Sequence, residues 1–171
     1  MSNAEIPKEH LDLILKAGIR VPDHGALNPW KIKVIKGKSL KIIDETVILK
    51  EYLKENSDAD EFSIKKESTR LQRASVVIAV ISTPVENSKI PDWEMRLSSG
   101  AVCMNLLSCA QSLNYAAQWL TEWYAYNENV LKYLGGDIKK DKIAGYIYIG
   151  HKIEEPLERK RPDPNNIITF I

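Results

Sequence analysis

The chain has 171 residues, of which 44% are hydrophobic and 27% charged, as is typical of one globular domain with a sizeable core. Its 24 Lys and Arg against 23 Asp and Glu give a net charge of +1. This balance argues against nucleic acid or an anionic membrane as a partner, because both select a strongly basic surface. No apolar run reaches the ~20 residues that a membrane-spanning helix needs. Residues 2–4, Ser-Asn-Ala, look like the remnant of an expression tag and not like a signal peptide.

The cysteines and histidines indicate neither a disulfide nor a metal site. Cys103 and Cys109 lie six residues apart on one predicted helix, which turns them to different faces. His10, His24 and His151 have no metal-ligand spacing. We therefore predict free thiols, no bound metal and a reducing, cytoplasmic location.

In the first half of the chain, the sequence patterns predict three helices and one strand, with an extended loop after the first helix. Residues 7–19 form an amphipathic helix, and residues 31–36 alternate lysine with β-branched side chains, as in a half-buried strand. Residues 40–54 have helical spacing, although the β-branched run at 46–48 weakens it. Residues 63–73 predict a second short helix.

A continuous β-branched run at residues 75–82 predicts the central strand of the sheet. Asp92 is the expected N-cap of the longest helix, at residues 93–114. That helix is apolar on nearly every side, which one sheet cannot cover in a domain of this size. We therefore infer that a second copy of the chain packs on it.

In the second half, the sequence predicts a short strand and loop at residues 115–121, a short helix at 128–134 and a strand at 142–150. Residues 154–171 form an extended C-terminal arm that ends in an apolar stretch at 167–171. We expect this stretch to reach a sheet edge, with the partner's edge as one candidate. The predicted fold is an α+β sandwich, a mixed central sheet flanked by helices, in one domain spanning residues 1–171.

Residues 20–30 are the part of the chain best suited to bind a ligand. Two prolines and a glycine stop the helix and hold the backbone in turn and extended conformations. The loop carries a cation, an imidazole, an amide and an indole, on Arg20, His24, Asn28 and Trp30. A purely structural interpretation is equally open. Arg20 can complement a helix C-terminus, Asp23 and Asn28 are ordinary turn residues, and Trp30 can belong to the core.

This loop resembles a segment of the FMN-dependent nitroreductase family, in its small single-domain branch. The matching residues are Arg20, Pro22, Asp23, His24, Pro29 and Trp30. Residues 73–75, 90–94, 99–101 and 141–150 follow the order of further family motifs. Residues 114–121 resemble the family's Gly-X-Gly-X-X-Trp strand and flavin loop, with Asn114 and Ala116 in place of the glycines.

The resemblance implies an intertwined homodimer in which two chains share each FMN. By position, Arg20 and His24 carry over as FMN-contacting residues, and Gln118, Trp119 and Leu120 as the loop that lines the flavin ring. Arg161, in the tail, is a further candidate for the phosphate. The structural alternatives are that Trp119 fills the core and that Arg161 is a solvated tail residue.

The resemblance also implies the reaction. Hydride from NAD(P)H would reach flavin N5 and leave for a small-molecule acceptor, either a nitro compound or a quinone. This chemistry requires no protein acid or base, so no catalytic residue is predicted.

One departure from the family pattern motivates an alternative function. Family members begin with a helix ending in Arg-Arg-Ser that grips the flavin and its phosphate, and this chain has no such segment before residue 7. Each lost charge-assisted contact, worth ~1.5–3 kcal/mol, would weaken FMN binding about tenfold or more. The alternative is a dimeric flavin- or ligand-binding protein with the fold but without efficient redox activity.

Overall fold

The computed structural model describes residues 1–2, 4–86 and 89–171. Its helices and strands are, in chain order, α1 (Lys8–Gly18), β1 (Trp30–Lys36), α2 (Lys38–Ile43), α3 (Leu49–Glu55), α4 (Glu61–Glu67), β2 (Val76–Ser82), α5 (Asp92–Ser112), β3 (Ala116–Leu120), α6 (Glu128–Tyr133) and β4 (Lys142–Gly150). Short 3₁₀ turns lie at His24–Ala26, Leu71–Arg73, Trp123–Ala125 and Pro164–Asn166. The order of helices and strands agrees with the predicted order.

Helix α1 forms as its sequence pattern predicts. Its buried residues are Leu11, Ile14 and Gly18, spaced to lie on one face. Glu9 in the first turn and Lys16 in the last turn complement the helix dipole. Gly18 permits close packing on α5, because a Cβ at this position would lie 2.3 Å from Cδ2 of Leu106.

The predicted helix at 40–54 is present with one irregularity. A π-helical segment, Asp44–Ile48, separates α2 from α3 and includes the β-branched run that weakened the pattern. The buried carboxylate of Asp44 accepts backbone hydrogen bonds from Leu71 and Gln72, at 2.8 and 3.2 Å. These bonds explain why the predicted helix at 63–73 was wrong beyond Glu67. The backbone at residues 71–73 turns toward Asp44 and forms a separate 3₁₀ turn.

The strands form one sheet in the order β1-β2-β4-β3. All three neighbouring pairs are antiparallel, with Ile32 opposite Val80, Ile78 opposite Ile147, and Trp119 also opposite Ile147. The predicted mixed pairing was therefore wrong for the described part of the chain. The run at 167–171, which we expected to pair at a sheet edge, forms no strand there.

The sheet separates two hydrophobic cores, which confirms the predicted α+β sandwich. On one face α1 and α5 pack against the sheet through Ile14, Val102, Leu106, Ile78 and Ile147, among other residues. On the other face Ile43, Ile48 and Leu131, from α2, the π-helical segment and α6, pack against the sheet. Tyr124 of the turn at Trp123–Ala125 and Tyr146 of β4 belong to the same core. Every residue of β2 is buried, as the continuous β-branched run predicted.

Helix α5 begins one residue earlier than predicted. Pro91 occupies the N-cap position, and the side chain of Asp92 pairs with Arg96 instead of capping the helix. Within one chain the helix is not covered on every side. An exposed stripe of α5, consisting of Trp93, Leu97 and Met104, has side chains 68%, 54% and 51% exposed.

The chain ends behave differently from each other. The backbone N–H of Ser2 donates to the carbonyl of His151 at 3.0 Å, so part of the suspected tag remnant contacts the fold, while Asn3 lies outside the described residues. The C-terminal arm is exposed along residues 154–171. Among the described helices none is long and apolar enough to cross a membrane.

Candidate active site

The site loop, residues 20–30, has a strained backbone. Gly25, Ala26 and Asn28 have φ values of 73°, 52° and 49°, in the left-handed region. The carboxylate of Asp23 accepts a hydrogen bond from the Asn28 backbone N–H at 2.7 Å, and the Asn28 side chain donates to the Ala26 carbonyl at 3.1 Å. Non-glycine residues in this region cost about 1–3 kcal/mol each and cluster at binding sites. Asp23 and Asn28 are therefore turn residues, as the structural interpretation held.

Hydrogen bonds fasten the site loop to one face of α5. Three of these bonds are Asn105 Nδ2 to the Arg20 carbonyl at 2.9 Å, Ser98 Oγ to the Pro22 carbonyl at 2.7 Å, and His24 Nδ1 with Glu94 Oε2 at 2.7 Å. A fourth joins Ser99 Oγ to the Pro29 carbonyl at 3.1 Å. Positions 94, 98 and 105 lie on one helical stripe, since residues three, four and seven apart share a face. The loop therefore runs antiparallel to the helix and is held at both ends.

His24 and Glu94 line an open groove of about 340 Å³. The other lining residues are Pro22, Asp23, Leu97, Ser98 and Ala101. The two ionisable side chains are 61% and 44% exposed, so a ligand in the groove can reach both. The groove thus combines an apolar floor with an imidazole that its carboxylate partner orients.

Arg20 lies further along the same face of α5. Its side chain is exposed, and within the described ranges its guanidinium makes no hydrogen bond or ion pair. The helix positions that contact Arg20 and His24 differ by eleven residues, or roughly 16 Å of helix. The structure therefore places the backbone of Arg20 and the imidazole of His24 along one face of α5, with the Arg20 residue exposed.

Trp119 projects from edge strand β3 toward α5. Its Nε1 donates to the Ala144 carbonyl at 3.2 Å, and its ring covers Gly145, where a Cβ would lie 1.9 Å from Nε1. The far end of the indole lies near Gly100, where a Cβ would lie 3.9 Å from Cη2. The side chain is still 37% exposed, so it packs on the domain while offering one surface to a ligand.

Gln118 and Leu120 do not join Trp119 on this face. All three residues pair with β4, so the expectation that they form a loop was wrong. Side chains alternate along a strand, and Leu120 accordingly packs against the core on the opposite face. Gln118 lines a separate cavity of about 420 Å³ with residues of the N-terminus and the arm. Their contact with a flavin stays a prediction.

Arg161 is not brought to the site within one chain. It lies in the exposed C-terminal arm, where its guanidinium pairs with Glu158. A role for Arg161 at the phosphate therefore stays a prediction that depends on where the arm lies.

Some residues of the site carried no usable sequence signal. The role of Glu94 could not be recognised from the sequence, because its pairing with His24 spans 70 residues. Gly145 was read as an ordinary strand residue, although it makes room for the indole. Asn114 adopts φ 64°, which explains how asparagine can stand where the family motif has glycine.

No cluster suited to a metal ion occurs among the described residues, and Cys103 and Cys109 are both free thiols. Burial raises the pKa of the Cys103 thiol to about 12, so this cysteine is not a nucleophile at neutral pH. The donor set of the site is therefore a free guanidinium, a carboxylate-bound imidazole and an exposed indole. These groups suit an anionic, flat, aromatic ligand.

Comparison with known proteins finds similar chains over nearly the whole length of this one. A protein described as "Putative NAD(P)H nitroreductase YdjA" from Escherichia coli (strain K12) is 29% identical over 168 residues, covering 95% of this chain and 87% of that protein. A nitroreductase-like family protein from Bacillus cereus has a TM-score of 0.80 at 19% identity, covering 100% of this chain and 88% of the other. A structure described as a putative nitroreductase in complex with FMN, from Desulfovibrio desulfuricans, has a TM-score of 0.69 at 21% identity, covering 99% and 88%.

The structural likenesses establish a shared fold. The sequence model described as the nitroreductase family matches residues 1–151, which is most of the chain. The chain therefore belongs to the nitroreductase family.

Proposed function

We propose that the protein is an FMN-dependent oxidoreductase that transfers hydride from NAD(P)H to a nitro compound or a quinone. The observation that carries this proposal is the donor set on α5. Arg20 offers an unpaired guanidinium, and Glu94 holds His24 in a groove on the same helix face. Family membership, the NAD(P)H in the name of the E. coli relative and the FMN bound to the D. desulfuricans protein support it.

The proposed roles follow from charge and shape. Arg20, which is always protonated, would bind the phosphate or the anionic reduced ring. Because the Glu94 carboxylate accepts the proton of His24 Nδ1, the free Nε2 of the neutral imidazole would accept a hydrogen bond from an N–H or hydroxyl group of FMN. Trp119 would provide a flat apolar surface for the ring system. Gln118 and Leu120 would border the ring, and Arg161 would contribute to the phosphate if the arm reaches it.

Bound FMN would supply the redox chemistry, accepting hydride from NAD(P)H and passing it to the acceptor. The protein's own residues would bind, orient and enclose the reactants. No acid or base from the chain is assigned to the reaction.

We also propose that the protein acts as a homodimer. The exposed stripe of α5 supports this, since three large apolar side chains on one helix are more than half exposed in a single chain. Leu97 belongs both to this stripe and to the groove beside His24, so a second copy packed on α5 would also close that groove. The free cysteines agree with the proposed cytoplasmic location.

The test is flavin retention by the purified protein. After incubation with FMN and desalting, we expect an absorption band near ~450 nm, as for a protein-held flavin. Arg20→Ala should weaken FMN binding about tenfold, the worth of one charge-assisted contact, and His24→Ala should weaken it about threefold to tenfold, the worth of one neutral hydrogen bond. Lys16→Ala, which removes an exposed cation from α1, is the matched control and should leave affinity unchanged.

Two outcomes would contradict the proposal. Equal FMN affinity in all three variants would remove the site assignment. Retained FMN without NAD(P)H oxidation, tested with nitroaromatic and quinone acceptors, would favour the alternative of a flavin-binding protein without redox activity.

A further inference from the structure

Glu122 has an unusual backbone conformation just beyond β3. Its φ is 46° and its ψ is 168°, a combination that glycine adopts readily and other residues rarely do. It lies two residues after Leu120, the last residue of β3, and three residues after Trp119. Such a conformation is energetically unfavourable for a non-glycine residue and persists only where surrounding contacts impose it.

Arg70 and Arg73 hold Glu122 in this conformation. Arg70 Nη1 donates to Glu122 Oε2 and Arg73 Nη2 donates to Glu122 Oε1, each at 3.1 Å. The Glu122 side chain is only 23% exposed, so water screens these charge-assisted bonds poorly. Both carboxylate oxygens are thus held, which fixes the side chain in position and orientation.

The two arginines are themselves anchored. Arg70 is buried and forms a bidentate pair with Glu67, with distances of 2.8 Å from Nε and 2.5 Å from Nη2. Arg73 Nε donates to the Arg70 carbonyl at 2.8 Å, and its guanidinium lies 5.1 Å from the ring centre of Tyr148. The arginine clamp, defined as Arg70, Arg73 and Glu122, is therefore rigid on the arginine side.

We propose that Glu122 is a positioning residue for FMN, and that the arginine clamp holds the chain after β3 in the strained conformation that flavin binding beside Trp119 requires. This inference rests on the proposed function. The clamp does not touch the groove at His24, so its contribution would come through the backbone of residues 120–122 and not through direct contact.

A different explanation is that the clamp only stabilises the fold. Two substitutions separate the explanations, because alanine and glycine both remove the carboxylate but differ in backbone freedom. Alanine keeps the steric penalty at positive φ, so without the clamp the chain should leave this conformation. Glycine adopts it at no steric cost.

We expect Glu122→Ala to weaken FMN binding about tenfold and Glu122→Gly to stay within about threefold of the wild type. Affinity is measured by quenching of flavin fluorescence, well below the thermal midpoint of each variant. Equal weakening in both variants would overturn the inference, because the charge and not the backbone would then matter. Unchanged affinity in both would also overturn it.

If Glu122→Ala does not fold, a second variant, Arg73→Gln, tests the same inference. Arg73→Gln removes one contact of the clamp and should weaken FMN binding severalfold in the wild type, but not in the Glu122→Gly background. An equal effect in both backgrounds would contradict the inference. Failure of the wild type itself to bind FMN would instead refute the proposed function, so the two failures are distinguishable.

Discussion

At the scale of single residues, the site depends on a glycine that leaves room for a neighbouring ring and on non-glycine residues held at positive φ. Gly145 carries no Cβ, and the indole of Trp119 occupies the space where one would stand. Ala26, Asn28, Asn114 and Glu122 adopt positive φ without being glycine. All four lie in the site loop or within two residues of the ends of β3. Strain and close approach therefore concentrate where we propose that the flavin binds.

Gly145→Ala should displace the indole. The added Cβ would lie 1.9 Å from Trp119 Nε1, so the ring must move and lose its hydrogen bond to the Ala144 carbonyl. We expect the free energy of unfolding to fall by about 1–3 kcal/mol, as for an overpacked site, with a shift in tryptophan emission. Gly100→Ala, whose Cβ would lie an ordinary 3.9 Å from the same ring, is the control. Equal emission spectra of both variants would contradict the geometry.

At the scale of elements, a buried ion pair joins the end of α4 to the chain beyond β3. Glu67 accepts bonds from Arg70 and from Trp123 Nε1, the latter at 2.9 Å. Burial by itself raises the pKa of Glu67, but the bonds from Arg70 and Trp123 outweigh burial and hold the pKa below its ordinary value of 4.5. This depressed pKa means that the ionised form stabilises the fold. That contribution is present above pH 4.5 and is lost as the pH falls through the folded-state value.

Glu67→Gln should therefore destabilise the protein in a pH-dependent way. We expect the free energy of unfolding to fall by about 2 kcal/mol at neutral pH, because the buried Arg70 guanidinium loses its bidentate partner and keeps only its contact with Glu122. The difference from the wild type should shrink on acidification below pH 4.5, as measured by denaturant unfolding. Glu55→Gln, at an exposed position of α3, should change stability by less than about 0.5 kcal/mol. A difference independent of pH would exclude this origin of the stabilisation.

At the scale of the whole molecule, the exposed stripe of α5 is the strongest sign of a second copy. Met104→Asp would place a charge in the middle of the proposed interface, where desolvation would oppose association. By sedimentation equilibrium, we expect the wild type at twice its chain mass of 19.4 kDa and the variant at the single mass. Ile42→Asp, at an equally apolar position that is 50% exposed on α2, should remain dimeric. A monomeric wild type, or a dimeric Met104→Asp, would contradict the proposed interface.

Most helices and strands could be predicted from the sequence, because the burial of each element determines the spacing of its own apolar residues. The period of apolar residues located α1 and α5, and the β-branched run located β2, since burial on one or two faces leaves a distinct spacing. The same spacing could not reveal strand direction. The sheet is antiparallel because the described chain supplies no parallel strand, and residues 167–171 do not pair with it.

The site was only partly predictable, because sequence patterns show local features and not contacts between distant residues. Arg20, His24 and Trp119 could be named from the sequence, because prolines, charge and motif order mark them locally. The Glu94 that orients His24, the Gly145 under the indole and the clamp on Glu122 depend on residues 25 to 70 positions apart. Such contacts leave no local pattern. The sequence by itself thus determined which groups are available, whereas only the tertiary structure decided which of them meet.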